Sequence, residues 1–181
     1  MSVPAVSRRG LFEEGLRRAL EARLDAPAAR PVDRSSTLGG RLVPVAEAMV
    51  DLAEVGEGHT VLAAAAGNDD LAKAVVRRGA SVAPTESVPF AWPDARFDAV
   101  LGFFSVTSHL DPRAVADELK RVARPHAPIV LATWSEQPWA RYETAYRHFF
   151  GFPELDVTDH ELEESGMGYS VVFARKPGGE S

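Results

Sequence analysis

The chain has 181 residues, of which 45% are hydrophobic and 25% are charged, and its formal net charge is -6. This composition predicts a soluble, globular protein, and the acidic balance argues against a nucleic-acid interface, which requires a basic face. The chain contains no cysteine, which excludes disulfides, thiolate catalysis and thiolate metal sites.

The N-terminal part combines an amphipathic segment with a linker. Between residues 8 and 24, large apolar side chains recur every fourth residue, which predicts a helix that packs on the domain edge or forms a lid. Residues 26–40 are rich in proline, alanine, serine and glycine and are interpreted as a linker. The Arg8-Arg9 pair resembles a twin-arginine export signal, but charged residues follow where such a signal needs an apolar region. We therefore expect a cytoplasmic protein.

Helices and strands alternate from residue 43 onward. This pattern is typical of a mostly parallel sheet with helices on both faces, and the last two strands are predicted to be antiparallel. Gly56 and Gly58 are predicted to end the first of these helices, and Pro84 indicates a strand end or a sheet edge. The predicted elements are helix 43–54, strand 60–65, helix 69–78, strand 81–85, strand 97–103, a helix from 111 to about 124, strand 129–134, helix 137–150, and strands 155–162 and 169–175.

Two stretches of the chain carry recognisable sequence motifs. One reads VLAAAAGNDDLAKAVVRRGASVAP; the other reads WPDARFDAVLGFFSVTSHLDPRAVADELKRVARP and leads to IVLATW. Together they resemble the class I S-adenosylmethionine-dependent methyltransferases of the methyltransferase type 11-like group, whose fourth strand and following helix match the second stretch. The resemblance implies a Rossmann-like methyltransferase domain over residues 43–175, preceded by a helix and linker (1–42) and followed by a tail (176–181).

The space between the first strand and the strongest strand is short for this fold. Only 38 residues lead from Val61 to Ala99, whereas three strand–helix units need roughly 72 residues at average lengths. One strand and one or two helices must therefore be missing. In the family these elements wall the adenine of the cofactor, so the expected fold is a reduced one with an open pocket.

The family's glycine-rich cofactor turn is rewritten in this chain. Ala65 stands at the first glycine of the turn, Gly67 is retained, and Asp69 stands at the third glycine, where the backbone must come close to the cofactor. The resemblance implies that these three residues contact S-adenosylmethionine, although Asp69 would crowd the turn and repel the cofactor's carboxylate. Alternatively, Asn68 or Asp69 caps the next helix, whose amides then no longer need an anion.

Two further residues complete the predicted site. Glu86 follows the second strand, where the family keeps an acid on the two ribose hydroxyls; in another alignment it opens the segment that contributes to adenine binding. His109 lies beyond the C-terminal end of the strongest strand, where open α/β sheets bind ligands, and it has the chemistry of a general base for an acceptor hydroxyl or amine. Both residues also fit solvated loop positions without a role.

The resemblance implies methyl transfer to the nitrogen or oxygen of a small molecule. The rewritten turn favours the alternative, a pseudo-enzyme that serves as a binding module or as the partner of a complete methyltransferase paralogue. An exposed sheet edge near Val82 predicts a homodimer or association with such a paralogue, with Trp139, Tyr142 and Tyr146 at the interface. The acidic residues between 156 and 164 lack a metal-binding spacing, so no metal is expected.

Overall fold

The computed structural model describes residues 38–65, 68–85, 89–104, 112–135, 143–162 and 165–179, all within one compact unit, Val32–Ser181. The predicted helix 8–24 and most of the linker 26–40 lie outside these residues. In chain order, the elements are a 3₁₀ turn (Gly39–Leu42), α1 (Val43–Leu52), β1 (Thr60–Ala64), α2 (Asp70–Arg77), β2 (Ser81–Thr85), β3 (Ala99–Phe103), α3 (Pro112–Val122), β4 (Pro128–Trp134), α4 (Glu143–Phe150), β5 (Leu155–Glu161) and β6 (Gly168–Arg175).

The six strands form one sheet in the order β2-β1-β3-β4-β6-β5. Strands β1 to β4 are parallel to one another, whereas β6 is antiparallel to both β4 and β5. This arrangement confirms the predicted α/β class, a reduced Rossmann-like methyltransferase fold with an antiparallel C-terminal strand pair. The central strands β3 and β4 are buried along their whole length, as expected for parallel strands covered on both faces.

The crossover from β2 to β3 is the shortened part of the fold. Its described residues, 89–98, contain neither a helix nor a strand, which agrees with the loss predicted from the residue count. Because no described strand lies beyond β2, this strand forms one edge of the sheet.

An arginine on α3 fastens this crossover. The Arg121 guanidinium donates to the carbonyl oxygens of Phe90 and Trp92 at 3.1 and 2.8 Å and pairs with Asp94 at 2.8 Å. Glu118 accepts two bonds from Arg121, at 2.8 and 2.9 Å, and a third from the Phe90 amide at 2.7 Å. The Arg121 guanidinium therefore lowers the pKa of Glu118; burial opposes this effect and the Phe90 amide adds to it. Side-chain bonds thus hold residues 90–94, and the amides of Ala95 and Arg96 add main-chain bonds to the carbonyl oxygens of Arg121 and Val122 at 2.9 and 2.8 Å.

The hydrogen bonds between β2 and β1 determine which main-chain groups β2 exposes at its free edge. Ser81 donates its amide to the carbonyl oxygen of His59 in the β1 direction at 2.8 Å. In a parallel pair, every second residue directs its main-chain N–H and C=O groups to the same neighbouring strand. The main-chain groups of Val82 and Pro84 therefore point away from β1. Proline has no amide hydrogen. Val82 is therefore the one residue of β2 that presents an N–H group outward.

The end of α1 differs from its prediction. The helix ends at Leu52, and Glu54 takes the left-handed conformation with φ 52°. The Val55 amide then reaches back to the carbonyl oxygen of Val50 at 3.1 Å, a bond typical of helix ends that close through a left-handed residue. The prediction that Gly56 ends this helix is wrong, because the left-handed residue that closes it is Glu54, two residues before Gly56.

A second non-glycine residue, His126, is held at φ 66° in the turn between α3 and β4. The resemblance puts a Pro-Gly-Gly turn here, and the chain has Pro125-His126-Ala127 instead. The His126 amide donates to the carbonyl oxygen of Lys176 at 2.9 Å, which ties the turn to the end of β6. A left-handed conformation costs a residue with a Cβ roughly 1–2 kcal/mol.

Replacing His126 with glycine is expected to raise the free energy of unfolding by about 1 kcal/mol, because glycine adopts positive φ without that steric cost. The main-chain bond to Lys176 is retained. Urea unfolding followed by circular dichroism measures the change. His126→Ala is the matched control, since it removes the imidazole and keeps the Cβ. An equal gain in the alanine variant would show that the side chain, not the backbone, is the source of strain.

Candidate functional site

The topology of the sheet marks one place for a ligand. From β1 the chain crosses to β2 on one side and then to β3 on the other, and open α/β sheets bind ligands at the carboxyl ends of the strands on either side of such a reversal. Ala65 follows β1 here and donates its amide to the carbonyl oxygen of Thr85 at 3.0 Å. Phe104 follows β3 and donates its amide to Ala132 at 2.9 Å. The candidate site therefore lies between Ala65 and Phe104.

The described residues include only part of the predicted site. Ala65 lies at the carboxyl end of β1, half-buried, and Asp69 lies just before α2. Gly67, Glu86 and the candidate catalytic residue His109 lie outside the described residues. The structure therefore brings Ala65 and Asp69 to the reversal point and leaves the roles of all five residues as predictions.

The start of α2 is capped by the chain itself. Asn68 Oδ1 accepts the amide of Asp70, the first residue of α2, at 2.8 Å. Asp69 makes no side-chain capping bond; its carboxylate is 73% exposed and pairs with Lys73 at 2.8 Å. The hydrogen bond from Lys73 lowers the pKa of Asp69, and burial works weakly against it. The prediction of a self-capped helix is therefore correct for Asn68 and wrong for Asp69, whose carboxylate turns toward the next helical turn.

Aromatic rings fill the other side of the site. Phe104 is fully buried and has φ 29°, an unusual conformation for a bulky residue. Its ring stacks on Trp134 with centroids 4.1 Å apart and meets Phe103 and Tyr169 edge-on at 4.9 and 5.9 Å. Sequence reasoning missed this residue, and its one signal is the Phe103-Phe104 pair at the end of the strongest strand. Backbone strain of this kind clusters at functional sites.

The predicted interface aromatics include one described residue. Tyr146 on α4 is 3% exposed, so it packs inside the protein and the prediction that it contributes to an interface is wrong. The stripe on α4 turns this ring toward the sheet, as an amphipathic helix does with its apolar face. Trp139 and Tyr142 lie outside the described residues.

The described part of the chain contains neither a metal-ligand cluster nor a helix suited to cross a membrane. No group of three or more histidine, aspartate or glutamate side chains there is arranged to hold a metal ion. None of the helices that the structure describes combines the length and apolarity needed to cross a bilayer.

Comparison with known proteins places the fold. No protein-family model matches the sequence, and no curated protein matches it either. A solved structure from Galdieria sulphuraria, assigned as a sarcosine dimethylglycine methyltransferase, is similar at TM-score 0.57 and 14% identity, covering 92% of this chain and 98% of that one. The 1,6-didemethyltoxoflavin-N1-methyltransferase of Burkholderia thailandensis was solved with 1,6-didemethyltoxoflavin and S-adenosylhomocysteine. It is similar at TM-score 0.54 and 18% identity, and the match covers 98% of this chain and 93% of that one.

A third similar structure is that of an enzyme named as a cyclase. The cyclase SpnF is similar at TM-score 0.53 and 12% identity, and the match covers 93% of this chain and 94% of that one. At these identities the likeness is one of fold. The chain has the fold of the class I S-adenosylmethionine-dependent methyltransferases, and because the same fold carries a cyclase, the fold alone does not fix the reaction.

Proposed function

We propose that the protein is a pseudo-methyltransferase, a small-molecule-binding module that does not transfer methyl groups by itself. The capping of α2 carries this proposal. A helix N-terminus at the reversal point is a place for an anionic ligand group because its free amides and its dipole point there. In this chain Asn68 already satisfies the Asp70 amide, so the helix offers less to the amino-acid carboxylate of S-adenosylmethionine.

The Asp69 carboxylate and the crossover from β2 to β3 also favour a pseudo-methyltransferase. The Asp69 carboxylate stands where the family pattern has a glycine, and like charges repel across an exposed rim. The crossover that would wall the adenine is pinned to α3 by Arg121. The described residues therefore fit S-adenosylmethionine poorly, and we assign no catalytic step through it.

Isothermal titration of the isolated chain with S-adenosylmethionine and S-adenosylhomocysteine tests the proposal. We expect dissociation constants above about 100 μM, equivalent to less than about 5.5 kcal/mol of binding free energy. Low-micromolar binding of either compound would overturn the proposal and favour an enzyme.

Variants at Asp69 separate charge from steric crowding. We expect Asp69→Gly to tighten S-adenosylmethionine binding, since it removes both the repelling carboxylate and the Cβ. Asp69→Asn removes only the charge and serves as the matched control. Because Asp69 caps nothing, both variants should melt close to the wild type. Unchanged titrations in both variants would show that the turn does not limit affinity.

A methyltransferase acting on a small-molecule nitrogen or oxygen is the second candidate function. It is favoured by one observation, the preserved reversal between β1 and β3 in a sheet of the methyltransferase order. Incubating the protein with S-adenosylmethionine and a panel of small amines and alcohols tests it, with S-adenosylhomocysteine release as the readout. We expect no release above a no-protein control.

Association and location remain proposals as well. The exposed edge at β2 motivates a homodimer or a complex with a complete methyltransferase paralogue, and we keep the cytoplasm as the proposed location. Light scattering over a concentration series measures the homodimer. A molar mass that stays at one chain would favour the paralogue or a self-contained module.

A further inference from the structure

The strand at the other end of the sheet, β5, presents a longer row of main-chain groups than β2 does. Within the described residues no strand lies beyond β5, and its seven residues pair with β6 in one continuous register. Natural edge strands are usually protected by proline, by lysine or by a bulge. The β5 sequence, LDVTDHE, contains neither proline nor lysine, so this edge lacks the protection that Pro84 gives to β2.

The hydrogen bonds at the two ends of β5 show which of its residues point outward. The Arg175 amide donates to the carbonyl oxygen of Glu154 at 3.1 Å, and the Leu162 amide donates to that of Met167 at 2.9 Å. In an antiparallel pair, residues that bond to the neighbouring strand alternate with residues whose main-chain groups face away from it. The residues that bond to β6 are therefore Asp156, Thr158 and His160, and those that face outward are Leu155, Val157, Asp159 and Glu161.

Most of these outward main-chain groups are open. Arg147 Nη2 on α4 donates to the carbonyl oxygen of Leu155 at 3.3 Å, which agrees with an outward direction for that carbonyl. On the side away from β6, no described residue bonds to the main chain of Val157, Asp159 or Glu161. Alternate residues with an open N–H and an open C=O form a template for another strand.

The charge pattern of β5 favours a second copy of the same strand as its neighbour. Two copies can pair antiparallel about a two-fold axis, and outward residues must then lie opposite outward residues. The register centred on Thr158 pairs the whole of β5 and sets Val157 opposite Asp159. A register centred on Asp159 would set this carboxylate opposite itself, and like charges directly opposite each other destabilise a strand pair.

In the register centred on Thr158, each Asp156 lies opposite His160 of the second copy. The His160 ring is held in place, because it stacks on Tyr169 with centroids 5.1 Å apart and its Nε2 lies 2.8 Å from Thr158 Oγ1. Its Nδ1 is therefore left for a carboxylate on the second copy. The Asp156 side chain is exposed and pairs with no described residue of its own chain. The two-fold axis makes this contact twice.

We propose that two copies of this chain associate through their β5 edges and join their sheets into one continuous sheet. Asp156 of each copy pairs with His160 of the other. This inference goes beyond the pseudo-methyltransferase proposal, and it moves the homodimer from the β2 edge to the β5 edge. Its tests do not depend on whether the chain binds S-adenosylmethionine.

A single introduced cysteine tests the register, because the chain has no cysteine of its own. Thr158→Cys sets two thiols opposite each other at a non-hydrogen-bonded position, where Cα atoms are about 4.5 Å apart and a disulfide fits. We expect a covalent dimer after mild oxidation, seen by non-reducing electrophoresis. Glu161→Cys is the matched control and should not cross-link, since its thiols would lie roughly 20 Å apart. No cross-linking of Thr158→Cys, or equal cross-linking of both variants, would overturn the proposal.

Sedimentation equilibrium over a concentration series tests the main-chain pairing. Val157→Pro removes an outward N–H group and leaves the bonds to β6 in place, so we expect a monomer with the circular dichroism of the wild type. Val82→Pro makes the same change at the β2 edge and should leave the dimer intact. A dimer lost only in Val82→Pro would overturn the proposal. A wild type that stays monomeric would also overturn it and would leave the β5 edge to a strand of another protein.

A charge exchange tests the contact between Asp156 and His160. Asp156→Lys is expected to raise the dissociation constant of the dimer about tenfold, because it removes two cross-strand pairs of opposite charge and sets lysine opposite histidine. Adding His160→Glu to this variant restores opposite charges in the same register and should return the constant to within about threefold of the wild type. A double variant that dimerises as weakly as Asp156→Lys alone would overturn the proposed register.

Discussion

Replacing Phe104 with alanine is expected to lower the free energy of unfolding by about 3–5 kcal/mol. The ring is fully buried and contacts three other rings, on Phe103, Trp134 and Tyr169, so its loss leaves a cavity that rigid aromatic neighbours cannot close. Alanine keeps the Cβ, so the strain at φ 29° is not relieved. Urea unfolding followed by tryptophan fluorescence measures the loss, with Trp134 as a reporter next to the cavity.

Phe173→Ala is the matched control for this prediction. Phe173 is only half-buried on β6, where the Arg175 guanidinium covers its ring at 5.4 Å, so its truncation should cost much less. Equal losses in the two variants would mean that the cluster around Phe104 adds nothing beyond ordinary burial.

Replacing Arg121 with methionine is expected to cost about 2–4 kcal/mol. Methionine keeps much of the apolar stem, but the carbonyl oxygens of Phe90 and Trp92 and the Glu118 carboxylate lose their donor. The Glu118 carboxylate, whose side chain is 18% exposed, then keeps the Phe90 amide as a donor but loses its counter-charge. Residues 90–94 should also become protease-sensitive, because the described bonds that hold them come from the Arg121 and Glu118 side chains. Urea unfolding and limited proteolysis measure the two effects.

Arg77→Met provides the comparison for Arg121. Arg77 pairs with Glu47 at an exposed site between α1 and α2, and exposed pairs contribute little to stability. If the two methionine variants unfold at the same urea concentration, the crossover is held by the packing of Phe90 and not by the arginine.

The order of the elements could be predicted because it depends on local pattern. Apolar runs at β3 and β4 and the turn residues between them predict the strands, and the spacing from Val61 to Ala99, compared with what the resembled family needs, predicts the missing unit. The predicted bounds agree within two residues wherever the structure describes them, and the predicted start of α4 at residue 137 lies outside the described residues. Such features survive because a strand buried on both faces tolerates few polar residues.

The contacts that decide the site could not be predicted in the same way. Arg121 and Phe90 are 31 positions apart in the sequence, and nothing in the local pattern distinguishes Arg121 from an exposed helical arginine. The choice between Asn68 and Asp69 as the cap depended on which side chain Lys73 attracts. The sequence pattern predicts Tyr146 at an interface because a stripe of aromatic rings is as compatible with an interface as with a core.

A sheet that ends at β2 has an unusual boundary. A second strand laid beside it would find one amide hydrogen, that of Val82, over the five residues of β2, because Pro84 supplies none. The ladder that makes β-augmentation and edge-to-edge aggregation favourable would therefore be incomplete. Within the described residues, the edge at β2 thus exposes few main-chain donors, and a partner that binds at this edge is expected to recognise side chains more than the main chain.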